Sequence, residues 1–247
     1  MDLGIAGRRA LVCGASRGLG FACAAALADE GVAVTLVARN RDTLAAAAER
    51  IGAGGGVVPQ VVAADIATEA GRKSVLQACP EPDIVVTNAG GPPGMDFRAL
   101  TKADWTAAIE ANFLSAVDLI KHTVDGMAQR GFGRIVNVTS LTVRSAVPQL
   151  DLSNATRLAL TGYVAGVARQ VAAQQVTINN LLPGTIATER IRDLGDTATK
   201  LIAKVPMGRA GKPEEFGAAC AFLCSTQAAY ITAQNILVDG GLCSFTV

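Results

Sequence analysis

At 247 residues, half of them hydrophobic and only 17% charged, the chain is within reach of one large α/β domain and carries ample apolar material for a covered sheet. A net charge of +1 gives no electrostatic case for a nucleic-acid partner or an acidic membrane surface. No apolar run approaches the ~20 residues of a membrane span and no basic-then-apolar leader is visible, so the expectation is a cytoplasmic protein.

Short β-branched runs alternate with Ala-rich stretches along the chain. Continuous apolar segments at 10–13, 32–37, 57–62, 84–87, 135–139, 176–181 and 236–238 have strand length, and unbroken apolar runs fit strands buried on both faces of a parallel sheet. Helices are predicted at 19–30, 41–51, 69–78, 102–130, 152–174 and 214–224. Thr101 with Asp104 suits a capping box for the long fourth helix, and Pro213 with Glu214 and Glu215 suits the first turn of the last. The stretch 186–212 is the one long insertion between a strand and a helix, a candidate flap. Alternation of this kind predicts an α/β, doubly wound Rossmann fold with a seven-stranded parallel sheet, spanning 1–247 as one domain.

The first strand runs into Val12-Cys13-Gly14-Ala15-Ser16-Arg17-Gly18-Leu19-Gly20, which opens the first helix. Glycines here let the backbone turn tightly and approach a pyrophosphate, which then rests on free N–H groups at the helix N-terminus. The second strand ends Val37-Ala38-Arg39. An acid at this point would bind a ribose 2′-OH, as NAD sites require. Neutral Ala38, with Arg39 beside it and Arg17 in the loop, instead suits charge-assisted bonds to a 2′-phosphate, hence NADP(H). Two solvated surface arginines are the alternative reading.

Farther along come Asn88-Ala89-Gly90 after the fourth strand, then Gly91-Pro92-Pro93-Gly94 as a rigid turn beside the expected cleft or merely a loop closure. His122, on the long helix, reads as a surface or interface residue. The six cysteines (13, 23, 79, 220, 224 and 243) include no Cys-x-x-Cys pair. Cys220 and Cys224 lie a helical turn apart without a histidine to complete a zinc site, so reduced thiols and no metal are expected.

The glycine spacing together with Asn88-Ala89-Gly90, Asn112, Gly133-Arg134-Ile135-Val136-Asn137-Val138-Thr139-Ser140, Pro183-Gly184-Thr185-Ile186-Ala187-Thr188 and Val238-Asp239-Gly240-Gly241 resembles the short-chain dehydrogenase/reductase family from about residue 3 to 242. The wording is most similar to the 3-oxoacyl-carrier-protein-reductase branch. The resemblance implies that Asp65 bonds the adenine amino group and that Asn88 to Gly90 line the adenosine side. Pro183, Gly184, Ile186 and Thr188 would then bring the chain to the nicotinamide carboxamide. It further implies that Ser140 orients a substrate carbonyl and that Asn112 positions a proton-relaying water. Homodimers or homotetramers are implied as well, through helices 102–130 and 152–174.

One segment departs from that family. Thirteen residues after Ser140, where a tyrosine would donate the proton, stands Ser153, and four residues later, where a lysine would assist it, stands Arg157. A phenol titrates near ~10 and is tunable, whereas a serine hydroxyl is a far poorer acid and arginine stays protonated. On one helix the two positions lie ~40° apart around the axis and ~6 Å along it, so they still face one site. Tyr163, about 15 Å farther along the helix and rotated by about 80°, suits packing or subunit contact better than proton donation. Arg144 and Asp151 fall in the loop where substrate contacts are expected.

Two functions are compatible with this pattern. One is an NADP(H)-dependent oxidoreductase moving hydride between nicotinamide and a small carbonyl or alcohol, with Ser140, Asn112, Ser153 and Arg157 around the reacting oxygen. Its proton would come from the water near Asn112 or from the substrate itself. The other is a cofactor-binding protein without turnover, serving as a redox sensor or assembly partner. The phosphate loop is common to both.

Overall fold

The computed structural model describes residues 2–55 and 57–244. Seven parallel strands form one sheet: β1 (Arg9–Cys13), β2 (Ala33–Ala38), β3 (Gln60–Ala63), β4 (Ile84–Thr87), β5 (Gly133–Val138), β6 (Val176–Pro183) and β7 (Asn235–Val238). Their spatial order is β3-β2-β1-β4-β5-β6-β7. The order reverses between β1 and β4, and a crevice opens beyond the C-terminal ends of strands at such a switch point.

Both faces of the sheet are covered because the strands are apolar on both faces. Helices α1 (Gly18–Asp29) and α2 (Arg41–Ala53), with the last helix, Pro213–Cys224, bury Leu27, Leu44 and Phe216 on one side. On the other, α3 (Glu69–Ala78), a helix at Ser115–Gln129 and one at Asp151–Val171 bury Val75, Leu119 and Val164. The small residues of these helices, Ala24, Ala47 and Ala168 among them, let backbone and sheet approach closely. Among the described residues no helix is long and apolar enough to cross a membrane, and no three His, Cys, Asp or Glu side chains gather as a metal site.

Three elements differ from their sequence expectation. β3 begins at Gln60, not at residue 57, because its first pairing partner on β2 is Thr35; Val57 and Val58 precede the ladder and are 69% and 65% exposed. The helix expected at 102–130 is α4 (Lys102–Ile109), a π-turn (Glu110–Leu114) and α5 (Ser115–Gln129). A π-turn adds one residue to a turn, which a 3.6-residue periodicity does not reveal. The helix expected at 152–174 is α6 (Asp151–Val171), closed by a 3₁₀ turn at Ala172–Gln174. Within the 186–212 insertion lie two short helices, α7 (Glu189–Arg192) and α8 (Asp196–Ile202), before α9 (Pro213–Cys224).

The capping signals are realised. Thr101 and Asp104 exchange bonds as a capping box on α4, and Pro213 opens α9 with Glu214 and Glu215 in its first turn. Beneath the crevice a polar row crosses four strands in register. Thr87 Oγ1 donates to Asn137 Oδ1 (2.7 Å), Asn137 Nδ2 to Asn180 Oδ1 (3.1 Å), and Asn180 Nδ2 to Asn235 Oδ1 (2.8 Å). With its amides satisfied side to side, the row fixes the relative height of the strand ends.

Candidate active site

At the β1–α1 corner, Gly14 has φ +59°, and a Cβ there would lie 2.6 Å from Asn88 Nδ2. That amide donates to the Gly14 carbonyl (3.3 Å), joining the glycine loop to the end of β4. A Cβ on Gly20 would strike the Gly14 carbonyl, so only glycine lets α1 start this close to the loop. The N-terminus of α1 has no side-chain cap and no acid in its first turn. Its free N–H groups and dipole are left to an anion. Arg39 is exposed after half-buried Ala38, and Asp65 is half-buried with Oδ1 accepting from Ala67 N (3.0 Å). A loop with no room for side chains and an uncapped helix start fit the phosphates of a dinucleotide.

The insertion after β6 comes back over this loop. Gly184 N bonds the Val238 carbonyl (3.0 Å), buried Ile186 pairs with Gly211, and Thr188 sits at the N-cap of α7 with no side-chain capping bond. Thr188 Cγ2 is 3.6 Å from where a Cβ on Gly18 would lie. Arg17 Nη1 meets Glu189 Oε2 at 3.0 Å, an exposed pair between loop and insertion. Such pairs contribute little, so Arg17 is readily exchanged to another anion. The exposed Arg190 reaches the Gly91 and Pro92 carbonyls at 3.5 Å each.

Opposite lie the residues flanking the expected reaction centre. Ser140 follows β5 half-buried, its Oγ accepting from Thr142 N (3.2 Å). Ser153 and Arg157, in the first two turns of α6, are each only 7% exposed. Arg157 Nη1 donates to the Val138 carbonyl (2.9 Å) and Nη2 to the Ala89 carbonyl (3.2 Å), so the guanidinium joins the end of β5 to the loop after β4. Burial first, and the Arg190 charge second, push its pKa down to about 10, which leaves it cationic at neutral pH.

Asn112 is buried in the π-turn. Its Nδ2 donates to the Ala108 carbonyl (3.4 Å), while Oδ1 has no partner among the described residues. Beside it is a cavity of about 10 Å³ lined by Asn112, Ser115, Asn88 and Arg157. That is room for one water, and an unmatched buried acceptor is where one is expected.

The fold thus gathers the glycine loop, Asn88, Thr188, Asn112 and Arg157 around one crevice. Tyr163 packs edge-on against Phe113, centroids 6.4 Å apart, and burial raises its pKa. His122 is exposed, with Nδ1 2.8 Å from the Asp118 carbonyl. Residues 91–94 form no turn, contrary to the sequence expectation; they run irregularly, and Met95 N bonds the Gln149 carbonyl (2.9 Å), which ties them to the loop before α6. Sequence reasoning missed Glu189 and Arg190, because one pairing and one reach across the crevice carry no spacing signal. Thr188-Glu189 as a helix start was the only local cue.

Residues 14–243 match the family model described as Enoyl-(Acyl carrier protein) reductase. The chain is 34% identical to the 3-oxoacyl-(acyl-carrier-protein) reductase FabG of Vibrio cholerae over 241 residues, covering 97% of this chain and 99% of that one. It is 37% identical to acetoacetyl-CoA reductase of Cupriavidus necator over 164 residues, 66% of each. The structure of L-sorbose reductase from Gluconobacter frateurii, complexed with NADPH and L-sorbose, superposes with a TM-score of 0.92 at 30% identity, covering 99% of this chain and all of that one.

Proposed function

The chain belongs to the short-chain dehydrogenase/reductase family, and on that premise we propose that it is an NADP(H)-dependent oxidoreductase acting on a small carbonyl or alcohol of the 3-oxoacyl type. The observation that carries the cofactor choice is the uncapped start of α1 with Arg17 and Arg39 and no acid at Ala38. Gly14, Ser16, Gly18, Leu19 and Gly20 receive the pyrophosphate on backbone N–H groups, and Arg17 leaves Glu189 to join Arg39 on the 2′-phosphate. Asp65 and Asn88 to Gly90 border the adenosine, while Pro183, Gly184, Ile186 and Thr188 border the nicotinamide end. The bound cofactor supplies or accepts hydride.

The chain's own residues supply orientation and field. Ser140 Oγ donates to the substrate oxygen, Ser153 adds a second donor, and Arg157 keeps a fixed positive charge beneath them. A water in the cavity beside Asn112 carries the proton in place of a phenol. Proton transfer by a positioned group typically contributes ~10²–10⁴-fold, so the turnover expected is slow but real. The 186–212 flap, with α7 and α8, closes over the substrate.

Calorimetric titration tests this reading. NADPH is expected to bind at least ~10-fold more tightly than NADH, about 1.4 kcal/mol, and Arg39→Asp to shift the preference towards NADH. Equal affinities would reject the NADP(H) assignment. A second reading, a catalytically impaired cofactor-binding protein acting as redox sensor or assembly partner, is favoured by one observation: the Arg157 guanidinium is engaged by two backbone carbonyls and no tunable acid stands at Ser153. Substrate-dependent oxidation of NADPH across a carbonyl panel separates the two.

A further inference from the structure

Two guanidiniums flank the segment from Ala89 to Pro92. Arg157 lies on its inner side, bonded to the Ala89 carbonyl, and Arg190 on its outer side, over the Gly91 and Pro92 carbonyls. Neither has a carboxylate within 4.0 Å among the described residues, although Arg17 on the same crevice is neutralised by Glu189 and Arg209 at the far end of the insertion by Glu215. A buried cation without a counter-charge is unfavourable, and a second cation beside it adds repulsion. Arg190's own bonds are long and end on neutral carbonyls, the weak limit of hydrogen bonding, so its planar fork is not committed. The missing Cβ of Gly91 lets it lie there, since a Cβ would come 2.7 Å from Nη1.

We propose that Arg190 is a specificity-determining residue that binds an anionic group of the substrate, a carboxylate, at the rim formed by the Gly91–Gly94 segment. The substrate class is thereby a small oxo acid or hydroxy acid. The two oxygens of a carboxylate match one guanidinium fork bidentately, whereas a dianionic phosphate would call for further donors that Arg157, already spent on two carbonyls, does not offer. The anion also supplies the counter-charge that the two arginines lack. This inference rests on the reductase reading for the reacting centre but concerns a different end of the substrate.

The test is a matched pair of probes, acetoacetate and its methyl ester, titrated by calorimetry into the protein with and without NADPH and assayed for NADPH oxidation. The variants are Arg190→Gln and Arg190→Lys, with NADPH affinity measured on each. The carboxylate is expected to bind at least ~10-fold more tightly than the ester, about 1.4 kcal/mol, and to have the higher kcat/KM. Arg190→Gln should erase that preference through KM, leaving the ester and NADPH affinity unchanged, and Arg190→Lys should restore part of it. Equal handling of acid and ester by the wild type would overturn the proposal. So would an Arg190→Gln variant that loses NADPH affinity instead, since the guanidinium would then serve the cofactor phosphates. Carboxylate binding sensitive to Arg190 without any NADPH oxidation would uphold this inference while removing the reductase reading.

Discussion

Ser153 and Arg157 lie four residues apart on α6, and at both positions the side chains are buried. The buried arginine acts first as a clamp, tying Val138 to Ala89. Replacing it with lysine would exchange a planar fork, whose two nitrogens each meet one carbonyl, for a single nitrogen that has to reach both. A site built around this clamp should not accept the ordinary pair. For the double variant Ser153→Tyr with Arg157→Lys we expect turnover below wild type on a confirmed substrate, since the phenol fills space the substrate uses. Comparing both single variants and the double on that substrate checks it, and a faster double variant would mean simple decay of a Tyr–Lys pair.

At the scale of elements, the π-turn and the insertion do what the regular helices cannot. The π-turn sets Asn112 against the one-water cavity, and the insertion brings Thr188, Glu189 and Arg190 across the crevice. The insertion's far end is held where Glu215 accepts two bonds from Arg209 (2.6 and 2.8 Å) and one from Lys212 N (2.7 Å). Those bonds hold the Glu215 carboxyl down to about 2 from 4.5. A carboxyl with a lowered folded-state pKa contributes stability above its unfolded value and loses it as pH falls through the folded one. Part of the acid lability of this protein should therefore lie between pH 4.5 and about 2. Glu215→Gln is expected to lower the thermal midpoint at neutral pH and to flatten its dependence in that window, as calorimetry across pH would reveal.

For the whole molecule, the surfaces of α4 and α6 carry exposed apolar residues: Ile109 is 38% and Leu158 55% exposed. We expect these two side chains to pack against a second copy of the chain across a two-fold axis. Light scattering at micromolar concentration should report a mass well above 25.2 kDa, and Leu158→Glu should lower it. A monomeric wild type would contradict this.

The sheet was legible in the sequence because strands buried on both faces must be continuously apolar, and the glycine loop because only glycine tolerates such close backbone approach. The strand at 84–87 and the helix at 69–78 fall where the structure has them. Propensity misplaced the start of β3, since Val57 and Val58 are good strand formers with no strand to pair with. The helix at 102–130 looked unbroken because a π-turn keeps the same residue types while shifting the phase of the next helix. The sequence by itself also placed a serine at 153 and an arginine at 157, one helical turn apart, which is a matter of identity and spacing. Only the tertiary structure decided what Arg157 holds, that Arg190 reaches the Gly91 and Pro92 carbonyls, and that Arg17 already has a partner in Glu189. Those facts join residues 68, 99 and 172 positions apart, and at such separations contact is set by how helices and loops close over the sheet, which local pattern does not encode.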